Sequence, residues 1–258
     1  MQRSAASSIL LRRLTYGDYD LILTLLTDRF GKLSLIAKYA KKSTKRFAGI
    51  LEPFAALNIV FSRGRKKGLA VLQEASLARP FSRIRTDILA TAHASYWVEL
   101  VDTWLEEGHP QQGLYRLLEF SLDRLDEGKT PVALLSILFQ VRFLHLAGLS
   151  PELGRCSKCH RDLNEPGRAR LMVDHAAGGV VCSSCGRADG PRLAPGTVKQ
   201  LQWLDRGDLH QALRVRFSAA SLEEATVFLE DFVPYHLGRS PKSLKVLRQL
   251  RGVPNPMT

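Results

Sequence analysis

Long hydrophobic runs are missing from this sequence. The run at residues 21–26 already contains Thr24, and nothing approaches the ~20 apolar residues a membrane-spanning helix needs. The first eight residues carry one positive charge and no apolar core, so a secretory leader is not expected and a cytoplasmic protein is. Cysteine is absent outside one window of 30 residues, and only four occur. A disulfide framework belongs to small secreted chains and does not fit here.

Catalytic signatures are missing too. There is no Gly-rich phosphate loop ending in Lys-Ser/Thr, no Gly-x-Ser-x-Gly and no His-Glu-x-x-His. The seven histidines are scattered without ligand spacing. His93 and His145 sit in apolar helical patterns and read as hydrogen-bonded core residues. Glu106-Glu107 and Glu223-Glu224 are adjacent on expected helices, so each pair splits around the axis and reads as surface charge. These absences point away from an enzyme.

Acidic residues are scarce in one place. Of 258 residues with a net charge of +12, residues 1–80 hold 15 Lys/Arg against 5 Asp/Glu, a balance of +10. Residues 81–258 are nearly neutral. Basic charge confined to one segment suggests a surface for a polyanion, nucleic acid first.

That basic third reads as β structure. Residues 8–14 are strand-like, Tyr16-Gly17-Asp18 turns, residues 20–27 form a second apolar run, and residues 28–31 close it. Residues 32–39 alternate, with Ile36 as an exception. Residues 41–49 read as a polar loop. Residues 57–61 and 69–75 flank Arg63-Gly64-Arg65-Lys66-Lys67-Gly68, a hairpin connection. Five short strands in about 80 residues suggest a small antiparallel barrel of OB type. Beyond Pro80 the period becomes helical. Ile84, Ile88, His93, Trp97, Leu100, Val101 and Trp104 mark one face, and Leu114 to Leu125 mark a second helix. Thr130-Pro131 opens a third as cap and first residue. Later helices carry Val198, Leu201 and Leu204, then residues 222–237, then Leu244, Leu247 and Leu250 after Ser240-Pro241. The expected class is α+β. Residues 1–80 form an OB-fold, 81–152 and 190–251 a helical domain, and 153–189 a zinc module inserted in it.

The cysteines are Cys156-Ser-Lys-Cys159, 22 residues, then Cys182-Ser-Ser-Cys185. Two such knuckles can converge four thiolates on one Zn²⁺. A full shell leaves no place for a catalytic water, so one structural Zn²⁺ per chain is expected; a redox dithiol and free thiols are the alternatives. Gly186 follows the second pair and His160 the first. His160 and His175 are spare ligands. A zinc deaminase would need His-x-Glu upstream of Pro-Cys-x-x-Cys, and neither occurs.

Lys38, Lys41, Lys42, Lys45 and Arg46 place five cations in nine residues with no acid. With Arg12, Arg13, Arg65, Lys66 and Lys67 they are the candidate DNA contacts of the barrel. Tyr16, Tyr19, Tyr39 and Phe47 are candidate stacking platforms, although aromatics at strand positions more often face the core. Arg239, Lys242, Lys245, Arg248 and Arg251 form a second cationic stripe, opposite Leu244, Leu247 and Leu250. It suits either DNA contact or solvation.

In their order these features resemble the RecO family of DNA repair proteins over essentially the full chain. The carrying residues are Ile9-Leu10-Leu11-Arg12-Arg13-Leu14 with Gly17-Asp18 and Leu25-Leu26-Thr27, then Gly31-Lys32-Leu33 and Leu51-Glu52-Pro53-Phe54. Gly148-Leu149-Ser150-Pro151-Glu152-Leu153 precedes the cysteines. Tyr235-His236-Leu237-Gly238-Arg239-Ser240-Pro241-Lys242-Ser243-Leu244 comes near the end. The resemblance implies an N-terminal OB-fold, a helical domain with a zinc module, and no defined catalytic centre. It implies binding of single- and double-stranded DNA and annealing of complementary strands. With RecR, such proteins help load RecA onto DNA coated by single-stranded-DNA-binding protein, in the cytoplasm at the nucleoid. Not every member keeps all four cysteines; this chain does. Recognition of the acidic C-terminal tail of single-stranded-DNA-binding protein would need apolar walls and a cation. Arg116, Arg124 and Arg142 on leucine-rich helices are the candidates, with pairing to Glu119, Asp123 or Asp126 as the alternative. The competing function is a zinc-ribbon, OB-fold RNA-binding or transcription-associated protein.

Overall fold

The computed structural model describes residues 3–43, 45–63, 68–163, 170–187 and 190–252. Strand β1 (Arg3–Tyr16) begins five residues before the expected start at Ser8, and β2 (Asp20–Thr27) returns along it. β3 (Gly31–Ala37), β4 (Ala56–Ser62) and β5 (Ala70–Arg79) complete a closed barrel in the order β1-β2-β3-β5-β4. All pairings are antiparallel except β3 with β5, where Leu35 faces Ala70 and Ile36 faces Val71. This is the OB arrangement.

Alternation explains the strands. In β3 Leu33, Leu35 and Ala37 point inward while Lys32, Ser34 and Ile36 face outward. Ile36 is no defect, since it sits on the outer face opposite Ile22. The barrel core is Leu10, Leu23, Leu25, Leu35, Leu57, Ile59, Phe61 and Leu72, joined by Phe47 and Leu51. Phe47 comes from the expected polar loop and is 3% exposed, so it is core and not a stacking platform. An apolar side chain beside five cations is forced inward because the barrel end would otherwise be open to water.

Gly31 is where the barrel meets its first helices. Its φ is +68°, and a Cβ there would overlap the backbone carbonyl of His109. Only glycine allows that approach. Helices α1 (Ser82–Thr86), α2 (Ile88–Trp104) and α3 (Gln112–Glu127) follow. Lys32 Nζ donates to the Asp102 carbonyl at 2.6 Å, and Arg79 pairs with Asp123. Residues 1–127, with Gln249 and those just after it, form one unit, and Gly128–Arg248 is the body of a second. The helical face expected from Ile84 is broken at Asp87, whose carboxylate caps α2 through the N–H groups of Leu89 and Ala90. Ile88 is therefore exposed.

In the second unit α4 (Val132–Leu146) is buried almost all round and packs against α5 (Pro195–Leu204) and α7 (Ala219–Leu237). Pro131 occupies the cap position of α4 and not its first turn. Between α4 and α5 lies a small antiparallel sheet of β6 (Leu171–Asp174), β7 (Gly179–Val181) and β8 (Arg192–Leu193), in the order β7-β6-β8. The short α6 (Leu209–Ala212) precedes α7, which opens on a Ser218–Ser221 capping box. In α8 (Lys242–Leu250) Leu244 and Leu247 are buried and Leu250 is exposed. Arg248 does not join a solvent stripe. It is 7% exposed and holds Glu230 at 3.2 Å and Asp231 at 2.7 Å. Nor is Glu224 plain surface charge, because it accepts from the Ala194 N–H and the Thr197 hydroxyl and so fixes the start of α5. No helix among the described residues is long and apolar enough to cross a membrane.

The histidines differ from expectation. His145 is exposed, with Nδ1 3.1 Å from Asp205. His93 is buried, but its Nδ1 has no hydrogen-bond partner among the described residues. Burial first, and then the charge of Arg251, bring its pKa down to about 4. Between that value and 6.5 the unfolded chain binds a proton that the folded chain refuses. Stability is therefore complete above about pH 6.5 and falls as pH drops toward 4, by up to about 3 kcal/mol. Urea unfolding at pH 7 and pH 4.5 should show this loss, and His93→Gln should remove most of it; an identical pH slope in the variant would refute the assignment.

Candidate metal centre and nucleic-acid interface

Each Cys-x-x-Cys pair sits on a tight turn. His160 N–H donates to the Cys156 carbonyl at 2.9 Å, and Cys185 and Gly186 N–H both donate to the Cys182 carbonyl at 3.0 Å. His160 takes the left-handed conformation, φ 59°, which accounts for the turn completing without glycine. Gly186 is needed for room, because a Cβ there would meet Met172 and Val181. β6 and β7 bring the two turns together. The four sulfurs lie within 4.8 Å of one another, Cys159 and Cys182 at 3.7 Å.

This donor set can hold one metal ion. Four thiols at such spacing cannot all ionise without a cation among them. Burial resists ionisation of Cys156, but the N–H groups of Cys159, Cys182 and Lys158 aim at its sulfur and bring its thiol down to about 6. Burial likewise resists ionisation of Cys182, while its neighbours' hydrogen bonds lower it. Cys185, hydrogen-bonded by the Cys182 and Cys159 sulfurs, is pushed up to about 12. A cation resolves that conflict. Neither spare histidine belongs to the group. His160 is exposed, and His175 packs against Phe228, Phe232 and Tyr235 of α7.

The second site is one end of the barrel. The β1–β2 turn carries Tyr16 and Tyr19, and Tyr39 follows β3; they are 55%, 40% and 65% exposed. Tyr19 and Tyr39 stack at 6.0 Å with planes 20° apart. Asp20 accepts from the Tyr39 N–H at 2.7 Å, and the Tyr19 carbonyl accepts from the Lys41 N–H at 3.0 Å. These bonds set the 3₁₀ turn Ala40–Lys42 beside the rings and bring Lys42 Nζ 4.0 Å from the centre of Tyr19. Exposed rings between cations can stack bases and meet phosphates. Lys38, Lys41 and Lys45 are exposed in the same stretch. Arg46 is exposed but leans over Phe47 and reaches the Leu72 carbonyl at 3.4 Å. Arg12 is exposed on β1, whereas Arg13 pairs with Glu52 at 2.7 Å and donates to the Leu51 carbonyl. Arg65, Lys66 and Lys67 lie outside the described residues.

Comparison with known proteins decides the family. The family model described as Recombination protein O N terminal matches residues 1–81, and Recombination protein O C terminal matches residues 85–245. The chain belongs to the RecO family. It is similar to proteins named DNA repair protein RecO from Desulfatibacillum aliphaticivorans (47% identical over 95% of this chain and 96% of that one) and Desulfosudis oleivorans (45%, over 96% and 98%). The one from Geobacter metallireducens is 34% identical over 97% and 99%.

The remaining candidates of this RecO-family chain are scattered. Arg239 is exposed just past the left-handed Gly238 that ends α7, and Lys242 and Lys245 are exposed on α8. Arg124 is tied to Asp123 and Glu127 at 3.0 Å each. Arg142 donates to the Asp205, Arg206 and Gly207 carbonyls, closing the end of α5. Arg116 is exposed on α3 and in no ion pair among the described residues. Spacing alone did not separate these three; only their tertiary partners do.

Elemental analysis of the purified chain should find one metal ion. Cys182→Ser should lose it and destabilise the second unit by several kcal/mol, because metal binding is linked to folding. Four freely titrating thiols in metal-free, fully stable protein would refute the metal centre.

Proposed function

We propose that this chain is a recombinational DNA repair mediator and not an enzyme. It binds single- and double-stranded DNA, anneals complementary strands and, with RecR, helps load RecA onto DNA coated by single-stranded-DNA-binding protein. The observation that carries this reading is the exposed Tyr19–Tyr39 pair with Lys42 against it, on an OB barrel of a RecO-family chain. Sequence-independent handling of single strands requires such surfaces, since every base has a stacking face and every nucleotide a phosphate. The metal is Zn²⁺, suited to four thiolates, and structural. It works in the cytoplasm, at the nucleoid.

The barrel's cations then act through phosphate. Replacing Lys41, Lys42, Lys45 and Arg46 with Ala should weaken binding to all sequences alike and flatten the salt slope by up to roughly 3 units, about 0.7 per lost contact. Tyr39→Ala should lower single-strand affinity by about 1–3 kcal/mol and leave the melting temperature unchanged. A wild-type salt slope and affinity would remove the barrel end from the DNA path.

For the acidic tail of single-stranded-DNA-binding protein we assign Arg116, the one of the three arginines in no internal pairing among the described residues. The decisive assay is RecA filament formation on coated single strands. The chain with RecR should accelerate it. Removing the acidic tail should abolish the acceleration, and Arg116→Glu should weaken it. No acceleration would reject the mediator reading, and a normal response of Arg116→Glu would reject the tail contact alone.

A further inference from the structure

Trp203 is 61% exposed on a helix that buries its other face. In α5 Val198, Leu201 and Leu204 point inward, which leaves Lys199 and Trp203, one turn apart, on the outside. The chain past α6 returns to this face. Arg214 N–H donates to the Gln211 carbonyl and Val215 N–H to that of Ala212. Gln200 Nε2 donates to the Arg216 carbonyl at 2.7 Å and so pins the returning segment beside α5. The result is an open cup of about 420 Å³ lined by Lys199, Gln200, Trp203, Gln211, Arg214 and Val215.

The cup's chemistry is specific. Among the described residues, the indole of Trp203 lines it together with two cations, Lys199 and Arg214, and no carboxylate does. The nearest acids in sequence are engaged elsewhere. Asp208 caps α6 through the His210 and Gln211 N–H groups, and Asp205 faces His145. Lys199 and Arg214 are exposed and in no ion pair among the described residues. A singly exposed aromatic ring is common on folded surfaces; here it lies in a cup that also holds two cations. A bare helix face would suit any apolar partner. An exposed aromatic ring beside two cations that are in no ion pair among the described residues suits a flat, anionic polymer better, because bases stack on the ring while phosphates meet the cations.

We propose that this cup is a second single-stranded DNA contact, separate from the barrel end, with a base on Trp203 and flanking phosphates on Lys199 and Arg214. The proposal rests on the reading that the chain handles single strands. A protein with two strand contacts, one in each unit, has what bringing two strands together demands.

The test uses full-length, metal-loaded protein and an oligo-dT strand carrying 5-iododeoxyuridine. Ultraviolet crosslinking should mark the peptide containing Trp203 as well as the barrel. Trp203→Ala should weaken oligo-dT binding roughly 5- to 100-fold, and Trp203→Phe should restore most of it. Thermal unfolding should be unchanged in both, since the ring is exposed. Lys199→Glu with Arg214→Glu should flatten the salt slope by more than one unit. Wild-type affinity in Trp203→Ala, with crosslinks confined to the barrel, overturns the proposal while leaving the mediator reading intact. Failure of the wild-type chain to bind oligo-dT at all overturns both. A Trp203-dependent site for a polyglutamate peptide, with DNA binding unaffected, assigns the cup to an acidic protein segment and also overturns it.

Discussion

The barrel closes through β1, which serves two neighbours along different parts of its length. Its first half, from Arg3 to Ile9, pairs with β4, and its second half, from Ser8 to Tyr16, pairs with β2. The register shifts between Leu10 and Arg12, where the strand bends from one partner to the other. Closure elsewhere is thin: β3 and β5 share two paired positions. Everything at the exposed barrel end follows from this. The β1–β2 turn lands beside the exit of β3, which places Tyr19 against Tyr39 and lets Asp20 and the Tyr19 carbonyl organise the lysine-bearing 3₁₀ turn. Phe47 and Leu51, in the basic connection itself, fill the barrel and hold the cationic stretch against it.

The second unit solves a different problem. Its small sheet has nine strand residues among the described residues, too few to bury a core of its own. The cysteine turns meet at one end, and α7 supports the rest. Arg170 and the N–H of Ala194 meet Glu224, while His175 stacks on Phe228. Gly179 permits β7 to pass directly over the Glu152 backbone, with Val180 N–H donating to the Glu152 carbonyl at 2.9 Å. A bound metal would thus stabilise a module already anchored to the helices, and its loss should be felt beyond the four sulfurs.

Much of the layout was legible because it is local. Strand alternation in β3, the helical faces of α3 and α5, and the paired Cys-x-x-Cys turns each depend on residues within a few positions of one another. What was not legible involves partners distant in sequence. Arg13 and Arg142 looked like Arg12 and Arg116, yet the first two are held by Glu52 and by the end of α5. Arg248 shared the spacing of Lys242 and Lys245 but turns to Glu230 and Asp231. His93 was expected to be hydrogen-bonded, and no local pattern could have indicated an orphaned Nδ1. Trp203 and Lys199 carried a signal that passed unused, a large aromatic on the polar side of an amphipathic helix.

The sequence by itself determined the barrel strands and the longer helices in outline, the four cysteines that could hold a metal ion, the segregation of positive charge to the first third and the family. Each is written in spacing, composition or motif order, none of which needs a third dimension. Tertiary structure alone decided which of the equivalent-looking cations are exposed, which aromatics face water and which histidine is trapped neutral. The physical reason is that solvation is a property of the assembled surface. A guanidinium or a ring is available to a ligand only where no distant carboxylate, carbonyl or core has taken it first, and that distance is measured through space.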